Sequence, residues 1–195
     1  HFSLFNNTTG NDNIAIGSES LKANTTGIQN TAVGNDALKA NVTGSYNTSV
    51  GYQSLCKNTI GKRNVAVGMS ALNANTAGQY NVAVGHSALL ANTTGNDNIA
   101  IGYTTLEDNT TGVKNVGVGN YALSNNTIGT KNLALGGYSL NLNTTGISNI
   151  AVGYNALATN TIGNYNIAVG QDSLRYNTTG NNNTAIGYES LKANT

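Results

Sequence analysis

"NTTGNDNIAIGSESLKANTTG", residues 7–27, begins and ends on the same four letters, and a near copy of it follows at once. From Gly10 a glycine recurs at 27, 44, 61, 78, 95, 112, 129, 146, 163 and 180, a step of seventeen residues without a slip. Such a period outranks every other reading of the chain. With Gly10 as repeat position 0, the unit reads G-x-x-N-x-A-[VI]-G-x-x-[AS]-L-x-x-N-T-[TI], with fixed Gly at positions 0 and 7, Asn at 3 and 14, and Leu at 11. Residues 1–195 therefore form one continuous array of about eleven equivalent layers rather than one or two globular domains. The chain opens at His1 and closes at Thr195, both within a repeat, and reads as an excerpt of a longer protein.

Positions 4 to 7 spell I-A-I-G, T-A-V-G, V-A-V-G and L-A-L-G: aliphatic or β-branched residues on one face, a small residue on the other, then glycine. That alternation predicts a short strand. Two fixed glycines and two fixed asparagines per step disfavour helix, and the absence of proline suits a backbone committed to ladders. Strands this short gain stability by stacking at about 4.8 Å into a parallel ladder. The expected fold is all-β, a parallel β-solenoid or β-roll of seventeen-residue coils.

The two glycine columns, represented by Gly17 and Gly27, hold 22 of the 24 glycines and are expected at corners, supplying positive φ or close backbone approach. The asparagine columns, represented by Asn13 and Asn24, suit amide ladders from layer to layer, in a residue type that also tolerates the left-handed region. Positions 4 and 6, as in Ile14 and Ile16, and the leucine column, as in Leu21, supply the only regular large apolar side chains and form the expected core. Alanine fills position 5 except at Ser49 and Gly117. Two readings account for it: close packing between the sides of a flattened coil, or a second packed surface against sister chains around a threefold axis. Three large apolar groups per coil do not balance the entropy of ordering seventeen residues, so further burial in a homotrimer is expected.

Composition excludes several classes of function. Charged residues are 9% of the chain, nine basic against eight acidic, and scattered, so no basic stripe marks a nucleic-acid or membrane surface. No apolar run approaches the roughly 18 residues of a membrane span, and no signal pattern opens the chain. Cys56 is alone and at a variable position, so it has no thiol partner. The two histidines, His1 and His86, fall at an outward position, and no triad, metal cluster or calcium loop can be assembled from Asp12, Asp36, Asp97 and Asp172. Catalysis, cofactors and metals are not expected. "GVG" at 117–119 is an Ala-to-Gly change within the repeat, and the "NTT" sequons at Asn24, Asn92, Asn109, Asn143 and Asn177 are by-products of the period.

Variation is confined to the outward corners. All seventeen charged side chains fall at positions 1, 2, 9, 12 and 13, and the ten tyrosines at 2, 8, 9 and 13. Tyr46, Tyr80 and Tyr165 share position 2, while Tyr52, Tyr103, Tyr154 and Tyr188 share position 8; these are the candidate surface contacts. Tyrosine supplies contact area and a hydroxyl at low entropic cost.

The segments "NIAIG", "NVAVG" and "GYQSL…NTIG" resemble repeats of tail-fibre and adhesin proteins of bacteria, their phages and some large viruses. The "AIG" and "AVG" cores are also similar to head repeats of trimeric autotransporter adhesins, from which this chain departs by its longer step, roughly the "NTT" corner. The resemblance involves scaffold positions only and carries over no binding residue. It implies an extracellular, non-enzymatic, homotrimeric fibre shaft or adhesin head at a cell or virion surface, with a glycan or protein receptor and with end-to-end stacking into filaments. The alternative function is an ice-binding β-solenoid using the threonine file at position 15, broken only by Val42.

Overall fold

A computed structural model describes residues 2–194; His1 and Thr195 lie outside the described residues. The described residues contain no helix. Eleven three-residue strands, β1 (Ile14–Ile16) through β11 (Thr184–Ile186), recur at the repeat step and pair in parallel, in chain order, as one sheet. The register keeps equivalent positions opposite one another, for example Ile14 with Thr31, Ala15 with Ala32 and Ile16 with Val33. One repeat is one layer, and ten layer steps span on the order of 50 Å.

The remaining fourteen residues of each coil, in turns, bends and irregular backbone, are tied to the next layer almost as regularly as the strand. Between the first two complete layers, Ile14, Leu21, Ala23 and Thr25 donate their backbone N–H to Asn30, Ala37, Lys39 and Val42, while Gln29, Gly34 and Asp36 donate back to Asn11, Ile16 and Ser18, at 2.7–3.0 Å. Alternate residues of the turn side adopt opposite signs of φ, which aims N–H and C=O along the stack instead of closing a helical turn. Leu21 (φ 48°) and Glu19 (φ 56°) show the pattern that every layer repeats. Leucine pays about 1–2 kcal/mol for the left-handed region, and its complete burial together with an interlayer hydrogen bond offsets that strain.

One expectation about the inside of the coil is corrected, and one of the two readings of position 5 is selected. Ile14 and Ile16 are not core: they are 53% and 61% exposed, and the strand alternates outward, inward, outward all along the sheet. The core is instead alanine at position 5, alanine or serine at position 10, and leucine at position 11, as in Ala83, Ala88 and Leu89. The reason is thickness. The leucine of the turn side already fills the space behind the strand, so the inward strand residue has room for little more than a methyl group. Alanine at position 5 is therefore enclosed by its own coil and does not reach a sister chain.

The exceptions to this rule compensate each other. Thr105 replaces the usual alanine or serine at position 10, and in the next layer Gly117 replaces alanine at position 5. A Cβ on Gly117 would stand 2.7 Å from Thr105 Cγ2. Likewise Ser49 donates its hydroxyl to the Ser54 carbonyl at 2.8 Å, so the second substitution at position 5 also finds its partner at position 10.

Gly17 combines the two properties expected of corner glycines, positive φ and a close approach to the Gly34 backbone of the next layer, while Gly27 uses close approach alone. Gly17 turns the chain off the strand at φ +123°, and Gly27 allows the next layer to approach: a Cβ there would strike the Gly44 carbonyl oxygen and the Asn24 amide. Neither Asn13 nor Asn24 adopts positive φ; outside glycine that conformation falls on positions 2, 9 and 11.

Candidate functional site

The asparagine columns are two internal amide ladders. Asn24 Nδ2 donates to Asn7 Oδ1 (2.7 Å) and to the Gly27 carbonyl (3.0 Å). Asn41 then donates to Asn24 Oδ1 (2.8 Å), and the chain of amides continues upward. In the other column Asn13 Oδ1 accepts from both the backbone and side chain of Asn30, while Asn13 Nδ2 donates to the Gly27 carbonyl. Each amide thus satisfies its neighbours in a buried setting. Asn24, Asn92, Asn109, Asn143 and Asn177 are fully buried, so their "NTT" sequons present no free amide.

Three extended surfaces and one local cluster at position 2 remain for contact. The first is the outer face of the sheet, where positions 4 and 6 carry only Val, Ile and Leu apart from Thr31, Thr48 and Thr184. This uncharged face runs the whole array, one strand of about 10 Å wide and on the order of 50 Å long. At roughly 500 Å² it matches the largest apolar patches found on monomeric proteins, which are commonly functional.

The second surface is the turn edge at positions 8 and 9. Here five rings from five successive layers touch in order: His86, Tyr103, Tyr121, Tyr138 and Tyr154, with centroid separations of 5.2, 5.4, 4.9 and 5.8 Å. The contacts alternate between stacked (17° and 14°) and edge-on (69° and 77°). Burial, and then the neighbouring Tyr103 and Tyr138 phenols, push the Tyr121 hydroxyl up from its ordinary pKa. Of the sequence candidates, this run includes Tyr103 and Tyr154. Tyr52 and Tyr188 share their column but stand apart from it, exposed. Tyr121, Tyr138 and His86 were not among the candidates, because reading each column separately hides a diagonal. Spacings of 18, 17 and 16 residues between Tyr103, Tyr121, Tyr138 and Tyr154 are the signal.

At position 2, Arg63 lies between Tyr46 and Tyr80, its guanidinium carbon 5.4 and 5.3 Å from the two ring centroids and its Nη1 donating to the Tyr80 hydroxyl at 2.7 Å. This is a cation held between π faces one layer apart on each side. Tyr165, in the same column, is exposed.

The third surface lies in the first layers, where ion pairs climb the turn edge. Glu19 accepts from Lys22 (2.7 Å) and Lys39 (2.6 Å), and Lys39 also reaches Asp36 (3.2 Å). Lys22, followed by Lys39, holds the Glu19 carboxyl at about 2, and Glu19 and Asp36 raise the Lys39 ammonium above its usual range. A shallow groove of about 410 Å³ opens beside them, lined by Ala23, Ala40, Cys56 and the stems of Lys22, Lys39 and Lys57. Burial pushes the Cys56 thiol up, away from the reactive thiolate. Among the described residues no three His, Cys, Asp or Glu side chains come together to hold a metal ion, and no helix is long and apolar enough to cross a membrane.

Fold and surface together define a parallel β-solenoid repeat protein. The chain matches no protein-family model, no curated protein and no solved structure.

Proposed function

We propose that the chain is a non-enzymatic fibre segment, the shaft or head of an extracellular adhesin or tail fibre, in which three copies associate through the outer faces of their sheets. The observation that carries this reading is the uncharged strand face. Isoleucine and valine point away from their own coil along its whole length, a pattern with no use inside one chain. A second and third copy facing the same axis bury it, and identical layer spacing lets the copies stay in step from end to end. The turn edges then face outward from the cell or virion surface and carry the adhesive contacts.

The threonine file does not favour the ice-binding reading. Thr76, Thr93, Thr110 and Thr127 donate their hydroxyl protons to the carbonyl one layer above, at 3.0–3.2 Å, so the hydroxyls are tied into the stack.

Light scattering tests the proposal. The chain is expected as a particle of three times its 20.0 kDa mass. Val67→Lys with Val84→Lys places charge on the strand face and is expected to yield single chains that retain the β-type circular dichroism. A wild-type particle of one chain at micromolar concentration overturns the fibre reading.

A further inference from the structure

We propose that the run Tyr103, Tyr121, Tyr138 and Tyr154 is a binding site for an uncharged, unbranched polysaccharide lying parallel to the stack. The inference rests on the adhesive reading above and names its ligand.

The rings recur at the pitch of the layers, so a linear ligand along the edge meets a new ring at each step over roughly 15 Å. The faces and edges of tyrosine suit the two sides of a sugar, with C–H bonds on the aromatic face and hydroxyls hydrogen-bonding the phenol. Tyr154 is placed for the first of these. It packs on Gly137, where an added Cβ would lie 3.4 and 3.6 Å from Tyr154 Cδ2 and Cε2, and half of its surface stays open to solvent. Gly137 and Gly117 are the only glycines outside the two fixed columns. Gly117 makes room for Thr105 in the core, whereas a Cβ at Gly137 would only touch the Tyr154 ring at ordinary contact distance.

Charge selects among ligands. Residues 120–125, 137–142 and 154–159, the turn edges of the three layers beneath the run, contain no charged side chain. They offer tyrosine, serine, threonine and asparagine beside small or apolar groups. Charge flanks the run at its two ends: Glu107 and Asp108 at the His86 end, where burial and then Asp108 raise the Glu107 carboxyl toward its neutral form, and Asp172 with Arg175, paired at 3.1 Å, in the layer after Tyr154. The only cation at either end, Arg175, is already paired with Asp172, so between its ends the run offers an acidic glycan no cation and a basic peptide no carboxylate. Neutral sugar rings are the chemistry the whole run accommodates.

The test is titration of the intact chain with cellohexaose, maltohexaose and a linear mannohexaose, against hexagalacturonate and a hexa-arginine peptide. Calorimetry is the primary readout; with no tryptophan in the chain, the emission of its ten tyrosines, four of them in the run, is the second, assigned to the site by its loss in the Tyr138 and Tyr154 variants. At least one neutral hexasaccharide is expected to bind, with hexagalacturonate and hexa-arginine at least tenfold weaker. Tyr138→Ala and Tyr154→Ala are each expected to weaken binding by about tenfold. Tyr52→Ala and Tyr188→Ala, outside the run, leave it unchanged. Circular dichroism and particle mass verify that each variant retains its fold and assembly. No binding of any neutral hexasaccharide at millimolar concentration overturns the inference, as does binding insensitive to Tyr138 and Tyr154, or preference for the peptide. Failure here with a three-chain particle leaves the fibre reading standing; sugar binding by a single-chain particle removes the fibre reading and leaves the site.

Discussion

The two sides of each coil exchange their usual roles. The strand side looks like core in composition, β-branched and aliphatic, yet it shows those residues to solvent and buries only an alanine. The turn side is rich in asparagine, serine and threonine and looks like a surface loop, yet it buries the leucine and both amide ladders. What decides burial in so thin a coil is the space available behind each residue rather than its hydrophobicity. A three-residue strand has one inward position, and a leucine opposite leaves it room for a methyl group.

Four substitutions or conditions sharpen this contrast. Leu89→Asp is expected to have the largest effect, destabilising by roughly 4 kcal/mol or more because a buried carboxylate finds no cation inside the coil. Thermal melting of a folded, unshifted Leu89→Asp protein would refute the core described here. Ala83→Leu overfills the inward strand position and is expected to cost about 1–3 kcal/mol. Val84→Leu, one residue along and facing out, stays within about 0.5 kcal/mol when both are measured on a Val50→Lys, Val67→Lys background, which likewise places two charges on the strand face. Equal effects of the two erase the distinction between the faces.

Gly117→Ala should lose about 1–2 kcal/mol by pressing on Thr105 Cγ2, and Thr105→Ala should restore most of it. The double-mutant cycle reads the coupling directly; simple additivity means the two positions do not share a space. The smallest effect belongs to the exposed ion pairs. Glu19 has a folded-state pKa below its unfolded one, so its contribution is complete above the ordinary carboxylate value of about 4.3 and disappears as pH falls through about 2. A slight drop in melting temperature over that interval is expected in the wild type and is expected to be smaller in Glu19→Gln.

Much of this architecture is legible in the sequence because the period is strict. Columns of Gly17 and Asn24 equivalents leave only one register in which glycine meets glycine and amide meets amide, which makes each repeat a layer and the sheet parallel. The direction in which Ile14 and Ile16 point was not legible. Alternation tells that positions 4 and 6 share a face, but not which face, and β-branched residues suggest the interior until the leucine across the coil is placed. Leu21 in the left-handed region was equally hidden, since leucine avoids it in isolation and accepts it here only for an interlayer bond and burial. The aromatic run was written across two columns, and only the three-dimensional adjacency of positions 8 and 9 in successive layers joins Tyr103 to Tyr121 and Tyr138 to Tyr154.

The backbone bonds between layers, such as Leu21 to Ala37 and Gly34 to Ile16, all point along the stack. Tension applied end to end therefore loads one boundary after another in series, and the weakest opens first while its neighbours stay intact. Each opening releases a coil of seventeen residues, roughly 55 Å of slack, without disturbing the rest. A tether built this way lengthens in even steps under load and shortens again when the coil rewinds, so it absorbs shock in the way a rope with measured loops does.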